Sequence, residues 1–119
     1  YVEDHCEALE MLVLNGKIGQ KYCIGGRNEI QNIELVKKLC FLMDLEFGNN
    51  NQKLKSYPSS NLIRLISDRP GHDKRYAINF SKIKNELSWE PKTNIEKGLE
   101  KTVKWYLNNK QWWEPLLIK

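Results

Sequence analysis

The residues best suited to chemistry are Ser67-Asp68-Arg69-Pro70-Gly71-His72-Asp73-Lys74-Arg75-Tyr76, where cations, a histidine and a Pro-Gly pair share one short run. Arg69 and Arg75 each present a planar fork that grips a phosphate through two parallel hydrogen bonds. Pro70 fixes its own φ, and Gly71 lets backbone amides come close to an oxyanion. His72 donates a hydrogen bond in either charge state. Asp68 suits orienting Arg69 or capping the turn, since a carboxylate repels an anion. The chemistry on offer is anion binding, and a diphosphate fits it. The same charges are also those of a solvated surface cluster, in which exposed ion pairs contribute little.

The elements around this loop are expected to present it to a pocket. Residues 62–66 and 76–80 are rich in β-branched and aromatic side chains and read as strands, with Pro70-Gly71 as the turn between them. Tyr76 suits core packing or a hydrogen bond at the loop's end. Residues 21–24 read as a further short strand that Gly25-Gly26 releases into a sharp turn, and strand ends in α/β sheets are where ligands collect.

The helices follow from apolar spacing and caps. Asp4, with Glu7 three residues on, is expected to cap a helix with Ala8, Leu9, Leu12 and Val13 on one face, ended by Gly16. Asn32 is expected to cap a second helix carrying Ile33, Val36, Leu39, Cys40 and Met43, ended by Gly48. Residues 49–60 are polar and aperiodic, a surface connection or a lid edge. Ser81 is expected to cap a short helix through Glu86, and Trp89-Glu90-Pro91 makes an extended corner. Thr93-x-x-Glu96 reads as a capping box opening a last helix with Ile95, Leu99, Val103 and Tyr106 inward. Trp112-Trp113 and residues 115–118 are too apolar to leave in water and should pack on the body or cover a partner.

Composition narrows the class. The chain has 119 residues, 40% of them hydrophobic and 29% charged, with a net charge of +4, an ordinary globular balance for one small domain. Lysines are spread along every segment, whereas a nucleic-acid footprint clusters its cations on one face. A non-catalytic basic binding domain stays open, and steep weakening of binding with salt would mark it. Cys6, Cys23 and Cys40 fit neither a disulfide framework nor a zinc site and are expected as buried free thiols in a reducing compartment. His5 lacks a second ligand at metal spacing, so no metal is expected. No run reaches the length of a membrane span. Tyr1-Val2 reads as the end of a strand begun elsewhere, which makes the chain a C-terminal piece of a longer, cytoplasmic protein.

The string Asp68-Arg69-Pro70-Gly71-His72-Asp73-x-Arg75-Tyr76-Ala77-Ile78 resembles the signature of the dTDP-glucose 4,6-dehydratases, a branch of the extended short-chain dehydrogenase/reductase family. Other segments resemble the same family in the same order. They are residues 1–5, Tyr22-x-Ile24-Gly25-Gly26-x-Asn28-Glu29 with Asn32, Leu87-x-Trp89-x-Pro91, and Lys101-Thr102-Val103-x-Trp105-Tyr106-Leu107. The glycine pair and Trp89-x-Pro91 are shared with nucleotide-sugar epimerases and decarboxylases, so an enzyme of that kind acting on a UDP-sugar is the alternative.

The resemblance implies an α/β, Rossmann-type fold of which residues 1–119 are the C-terminal substrate-binding part, built of helices with a few short strands. The N-terminal NAD-binding domain is absent from this chain. The implied reaction converts dTDP-glucose to dTDP-4-keto-6-deoxyglucose by hydride removal from C4, water loss across C5 and C6, and hydride return to C6. Tightly bound NAD, held outside this chain, is regenerated in each turnover. By the same resemblance Asn32, Asp68, Arg69, Pro70, Gly71 and His72 bind the dTDP-sugar, and the full-length enzyme is a homodimer. No catalytic residue falls here: the family's adjacent Asp-Glu pair is missing, and so is the glycine-rich dinucleotide loop. Tyr106-x-x-x-Lys110 matches the family's Tyr-Lys spacing, but Tyr106 belongs to the apolar face of a helix, and the chain's five tyrosines and many lysines make chance an adequate cause.

Overall fold

The computed structural model describes residues 1–49 and 56–117. Helices dominate it: α1 (Val2–Asn15), α2 (Asn32–Asn49), α3 (Ser81–Leu87), α4 (Ile95–Asn108) and α5 (Lys110–Trp113), with 3-10 turns at Ser59–Leu62 and Glu114–Leu116. The chain folds as two compact units, Tyr1–Glu29 with Gly71–Ile95, and Ile30–Pro70 with Glu96–Lys119.

The first unit holds a small core. Ala8 of α1, Ile83 of α3, Phe80 and Trp89 are buried together, with Met11, Leu12, Tyr22, Ile24 and Leu87 packed on them. Phe80 and Trp89 meet edge to face, ring centroids 6.1 Å apart, a favoured aromatic geometry. Tyr22 is fixed from two sides: its hydroxyl donates to Glu86 Oε2 at 2.8 Å, and Lys82 Nζ lies 4.6 Å from its ring centroid. The Tyr22 hydrogen bond, with Lys17 nearby, holds the Glu86 carboxyl below the usual range.

The expected strands do not form. No strand occurs among the described residues, and residues 21–24, 62–66 and 76–80 have no ladder partner. Strand structure is a property of pairing rather than of one segment, and isolated pairs are marginal in water. The strand pattern of side chains survives at 21–24, where Tyr22 and Ile24 turn inward and Lys21 and Cys23 outward. Residues 62–66 lack even that, since Leu62 closes a 3-10 turn and Leu65 and Ile66 are almost fully exposed.

Several helix boundaries also differ from expectation. Val2 is helical, so Tyr1-Val2 is not a strand end, and Asp4 lies inside the first turn of α1. Gly16 does end α1, its N–H bonding the Leu12 carbonyl at 2.9 Å. Asn32 is the first helical residue of α2, and the helix runs past Gly48 to Asn49. Phe80 stands at the N-cap of α3, which extends to Leu87, while the Ser81 N–H donates to Asn79 Oδ1 at 2.9 Å. Asn79 supplies the acceptor that the sequence suggested from Ser81. The core of the expected polar connection, residues 50–55, lies outside the described residues. Cys6 and Cys23 are exposed and Cys40 half-buried, all as free thiols, so the expected burial fails. Cys6 and Cys23 face outward, while Cys40 is covered to the same degree as its neighbours Leu39, Leu42 and Met43.

In the second unit Asp44 of α2 accepts the Ser59 N–H with both carboxylate oxygens, at 3.0 and 3.1 Å, which seats the 3-10 turn against the helix. Lys104 of α4 pairs with Glu100 at 2.6 Å and with Glu46 at 3.5 Å. The chain end folds back on α4: Trp113 Nε1 donates to the Tyr106 carbonyl at 2.8 Å. Trp112, Leu116 and Leu117 nonetheless stay exposed, and Ile118 lies outside the described residues. No described helix is long and apolar enough to cross a membrane.

Candidate functional site

The loop that carries the cations turns where expected. Residues 70–71 form a turn with Gly71 at φ +73°, and a Pro-Gly order with positive φ at the second residue is that of a type II turn. Asp68 shapes the approach, its Oδ1 accepting the Arg69 N–H at 2.8 Å. A carboxylate so engaged organises the loop. Arg69 and His72 are exposed, as an anion grip requires. Asn32, Asp68, Arg69 and Pro70 belong to the second unit, and Gly71 and His72 to the first.

Arg75 departs from the sequence-based expectation. Its Nη2 lies 3.6 Å from Glu29 Oε1, a pair within the first unit. The fork that the sequence offered to a phosphate faces a carboxylate, which leaves Arg69 as the arginine of the loop with the clearer claim on an anion.

A second feature was not singled out from sequence. The first unit contains a cleft of about 220 Å³, lined by Tyr1, Asp4 and His5 on one side and by Gly25, Gly26 and Asn28 on another. Trp89, Pro91 and Thr93 complete the wall. Asp4 anchors it: its carboxylate is buried and accepts the Thr93 N–H at 3.0 Å and the Thr93 hydroxyl at 3.2 Å. Burial pushes the Asp4 carboxyl up, but hydrogen bonds from the Thr93 backbone and hydroxyl and from the Lys92 backbone outweigh it and hold it below its ordinary value. The Thr93 hydroxyl donates to Asp4, and α4 begins two residues later, at Ile95. Trp89 Nε1 is buried with no hydrogen-bond partner among the described residues.

Gly25 is required by space rather than by backbone angle. A Cβ there would lie 2.8 Å from Ile78 Cβ, so the Ile78 side chain occupies the space that a side chain at position 25 would need. The glycine pair of one motif and the segment after the cationic loop are therefore neighbours. No group of three His, Cys, Asp or Glu side chains among the described residues could hold a metal ion.

Comparison with known proteins bears out the resemblance carried by these motifs. The Escherichia coli dTDP-glucose 4,6-dehydratase is 47% identical over 117 residues, 98% of this chain and 32% of the relative. A probable dTDP-glucose 4,6-dehydratase of Sinorhizobium fredii is 46% identical over 119 residues, 100% of this chain and 32% of its own length. Among solved structures, the Bacillus anthracis dTDP-glucose 4,6-dehydratase in complex with NAD matches with a TM-score of 0.74 and 42% identity, over 97% of this chain and 32% of that one. The chain thus spans about a third of the length of the curated relatives it matches. The model of the family described as GDP-mannose 4,6 dehydratase matches residues 1–102, and the chain belongs to that family.

Proposed function

We propose that this chain is the substrate-binding part of a dTDP-glucose 4,6-dehydratase and corresponds to the C-terminal third of its longer relatives. The observation that carries the proposal is identity of 44 to 48% with enzymes of that name over at least 94% of the chain. In this role Arg69 supplies permanent charge to the diphosphate, His72 a neutral or charged donor, and Gly71 room for backbone amides to approach. Asp68 holds the loop, and Asn32 offers an amide from the first turn of α2. Residues 21–24, 62–66 and 76–80 would pair as strands once the rest of an α/β sheet is present.

NAD does not fit the residues of this chain. No Gly-x-x-Gly-x-x-Gly occurs in it, and Gly25-Gly26 lead to a helix that begins only at Asn32, whereas a dinucleotide loop turns directly from strand into helix. We therefore assign NAD, the acid/base pair and the homodimer contact to the remainder of a cytoplasmic enzyme. No step of the chemistry is placed on this chain, whose residues hold and orient the substrate.

The test is calorimetric titration of the full-length enzyme with dTDP, UDP and GDP. Arg69→Ala is expected to weaken dTDP binding by about 1.5 kcal/mol or more, the worth of a charge-assisted hydrogen bond in a partly buried site. Unchanged affinity refutes the assignment of Arg69. Tighter binding of UDP or GDP than of dTDP favours another nucleotide-sugar enzyme of the same family.

A further inference from the structure

We infer that the Glu29 carboxylate is a stand-in for the second phosphate of a nucleoside diphosphate: Arg75 rests on it and changes partner when the diphosphate arrives. The exchange selects diphosphates over monophosphates. It rests on the reading of this chain as a dTDP-sugar binder.

The resting pair is loose. Arg75 Nη2 and Glu29 Oε1 lie 3.6 Å apart, beyond the roughly 2.7–2.9 Å of a charge-assisted hydrogen bond. The Arg75 side chain is 73% exposed and that of Glu29 46%, and ion pairs in water contribute only about 0–1 kcal/mol. A guanidinium fork on a phosphate instead makes two parallel charge-assisted bonds. A phosphate therefore displaces the carboxylate at small cost.

The pair is not needed to hold its two segments together. Three residues after Arg75 and four before Glu29, the Ile78 side chain fills the space of a Cβ on Gly25, 2.8 Å from it, so packing already fixes these segments against each other. Arg75 can then leave Glu29 by a change of side-chain rotamer, a motion that exposed residues make in picoseconds to nanoseconds.

Position supplies the new partner. Glu29, Gly71, His72 and Arg75 all belong to the first unit. Three residues of chain span at most about 11 Å, so the Arg75 backbone starts within that distance of His72, a donor proposed for the diphosphate. Selection follows from the number of phosphates. A monophosphate offers one group, which Arg69 is proposed to take, and leaves Arg75 on Glu29. A diphosphate offers a second group that competes with the carboxylate for Arg75.

The test is calorimetric titration of the full-length enzyme with dTDP and with dTMP, comparing the parent with Glu29→Gln, Arg75→Ala and the double variant. Glu29→Gln is expected to tighten dTDP binding about three-fold, the scale of an exposed ion pair removed from competition. Arg75→Ala is expected to weaken it about three-fold, and Glu29→Gln to add nothing in that background, as direct coupling requires. dTMP binding is expected to be the same in all four proteins. A pair with a structural role alone gives no gain on Glu29→Gln. No tightening by Glu29→Gln, parental dTDP affinity in Arg75→Ala, a gain that persists without Arg75, or an equal gain for dTMP overturns the inference. Arg69→Ala separates the two readings: if it weakens dTDP binding while Glu29→Gln leaves it unchanged, the substrate site stands and the exchange falls. A parent enzyme with no affinity for dTDP overturns both.

Discussion

Asp4 and Thr93 stand 89 positions apart in sequence and are joined by two hydrogen bonds, from the Thr93 N–H at 3.0 Å and its hydroxyl at 3.2 Å. The contact ties the first turn of α1 to the segment after the Trp89-Glu90-Pro91 corner. Asp4→Ala removes the acceptor and strands donors in a half-buried site, at an expected cost of about 1–3 kcal/mol in urea unfolding. The pH dependence follows from the direction of the shift. The folded carboxyl lies below its ordinary value of 3.8, so its contribution is complete above that value and is lost as pH falls through the lower, folded one. Thermal melts in acid should show this loss in the parent chain and a flatter profile in Asp4→Asn.

Gly25 and Gly26 look interchangeable in sequence and are not in space. A Cβ on Gly25 meets Ile78 Cβ at 2.8 Å and Cγ2 at 2.9 Å, part of a stiff β-branched side chain fixed close to its own backbone. A Cβ on Gly26 meets the Asn28 amide nitrogen at 3.1 Å, the end of an exposed side chain, and Pro91 Cγ at an ordinary contact distance of 3.9 Å. Gly25→Ala is expected to cost about 1–3 kcal/mol as an overpacking change, and Gly26→Ala to stay within about 0.5 kcal/mol. Urea unfolding of the two variants side by side checks the difference.

The contrast shows what the sequence could and could not disclose. Helices were legible because their signal is local: α1 ends at Gly16, and the turn falls at Pro70-Gly71 with the left-handed φ that glycine accommodates. Strands were not, because residues 21–24 and 76–80 carry the composition of strands while the ladder depends on segments elsewhere in a sheet. Asp4 read as a cap because an acid three residues before a glutamate is a local signature. Its actual partner, Thr93, is distant, and no spacing rule reaches it. The same holds for Arg75, whose partner Glu29 sits in a motif that the sequence marked for other reasons.

That last pair separates the two arginines of the loop. Arg75 lies 3.6 Å from Glu29 with both side chains substantially exposed, so the pair itself contributes little to stability. Its effect is on availability, since a guanidinium facing a carboxylate is a poorer partner for a phosphate. If the loop holds a diphosphate, Arg69→Ala should weaken dTDP binding by about ten-fold or more, and Arg75→Ala by clearly less. Glu29→Gln should leave stability within about 0.5 kcal/mol of the parent and bring dTDP binding no lower. Equal losses in the two arginine variants, measured by calorimetry on the full-length enzyme, would reverse their ranking.

The terminal tryptophans act on the second unit through geometry rather than burial. Trp105 stands edge-on to Tyr106 and to Trp112, with centroids 5.1 and 5.3 Å apart, and Trp113 Nε1 donates to the Tyr106 carbonyl at 2.8 Å. Trp113→Phe keeps a ring and deletes the donor, so it should cost about 0.5–1.5 kcal/mol. Trp105→Ala loses two aromatic contacts, each worth about 0.5–1.5 kcal/mol beyond area. Because Trp105 is 43% exposed and Trp112 61%, the loss should fall short of the 3–5 kcal/mol, roughly, of truncating a fully buried aromatic. Urea unfolding followed by circular dichroism avoids the change in fluorescence that the substitutions bring. A Trp105→Ala cost as large as that of a buried tryptophan would mean that another surface covers this cluster in solution.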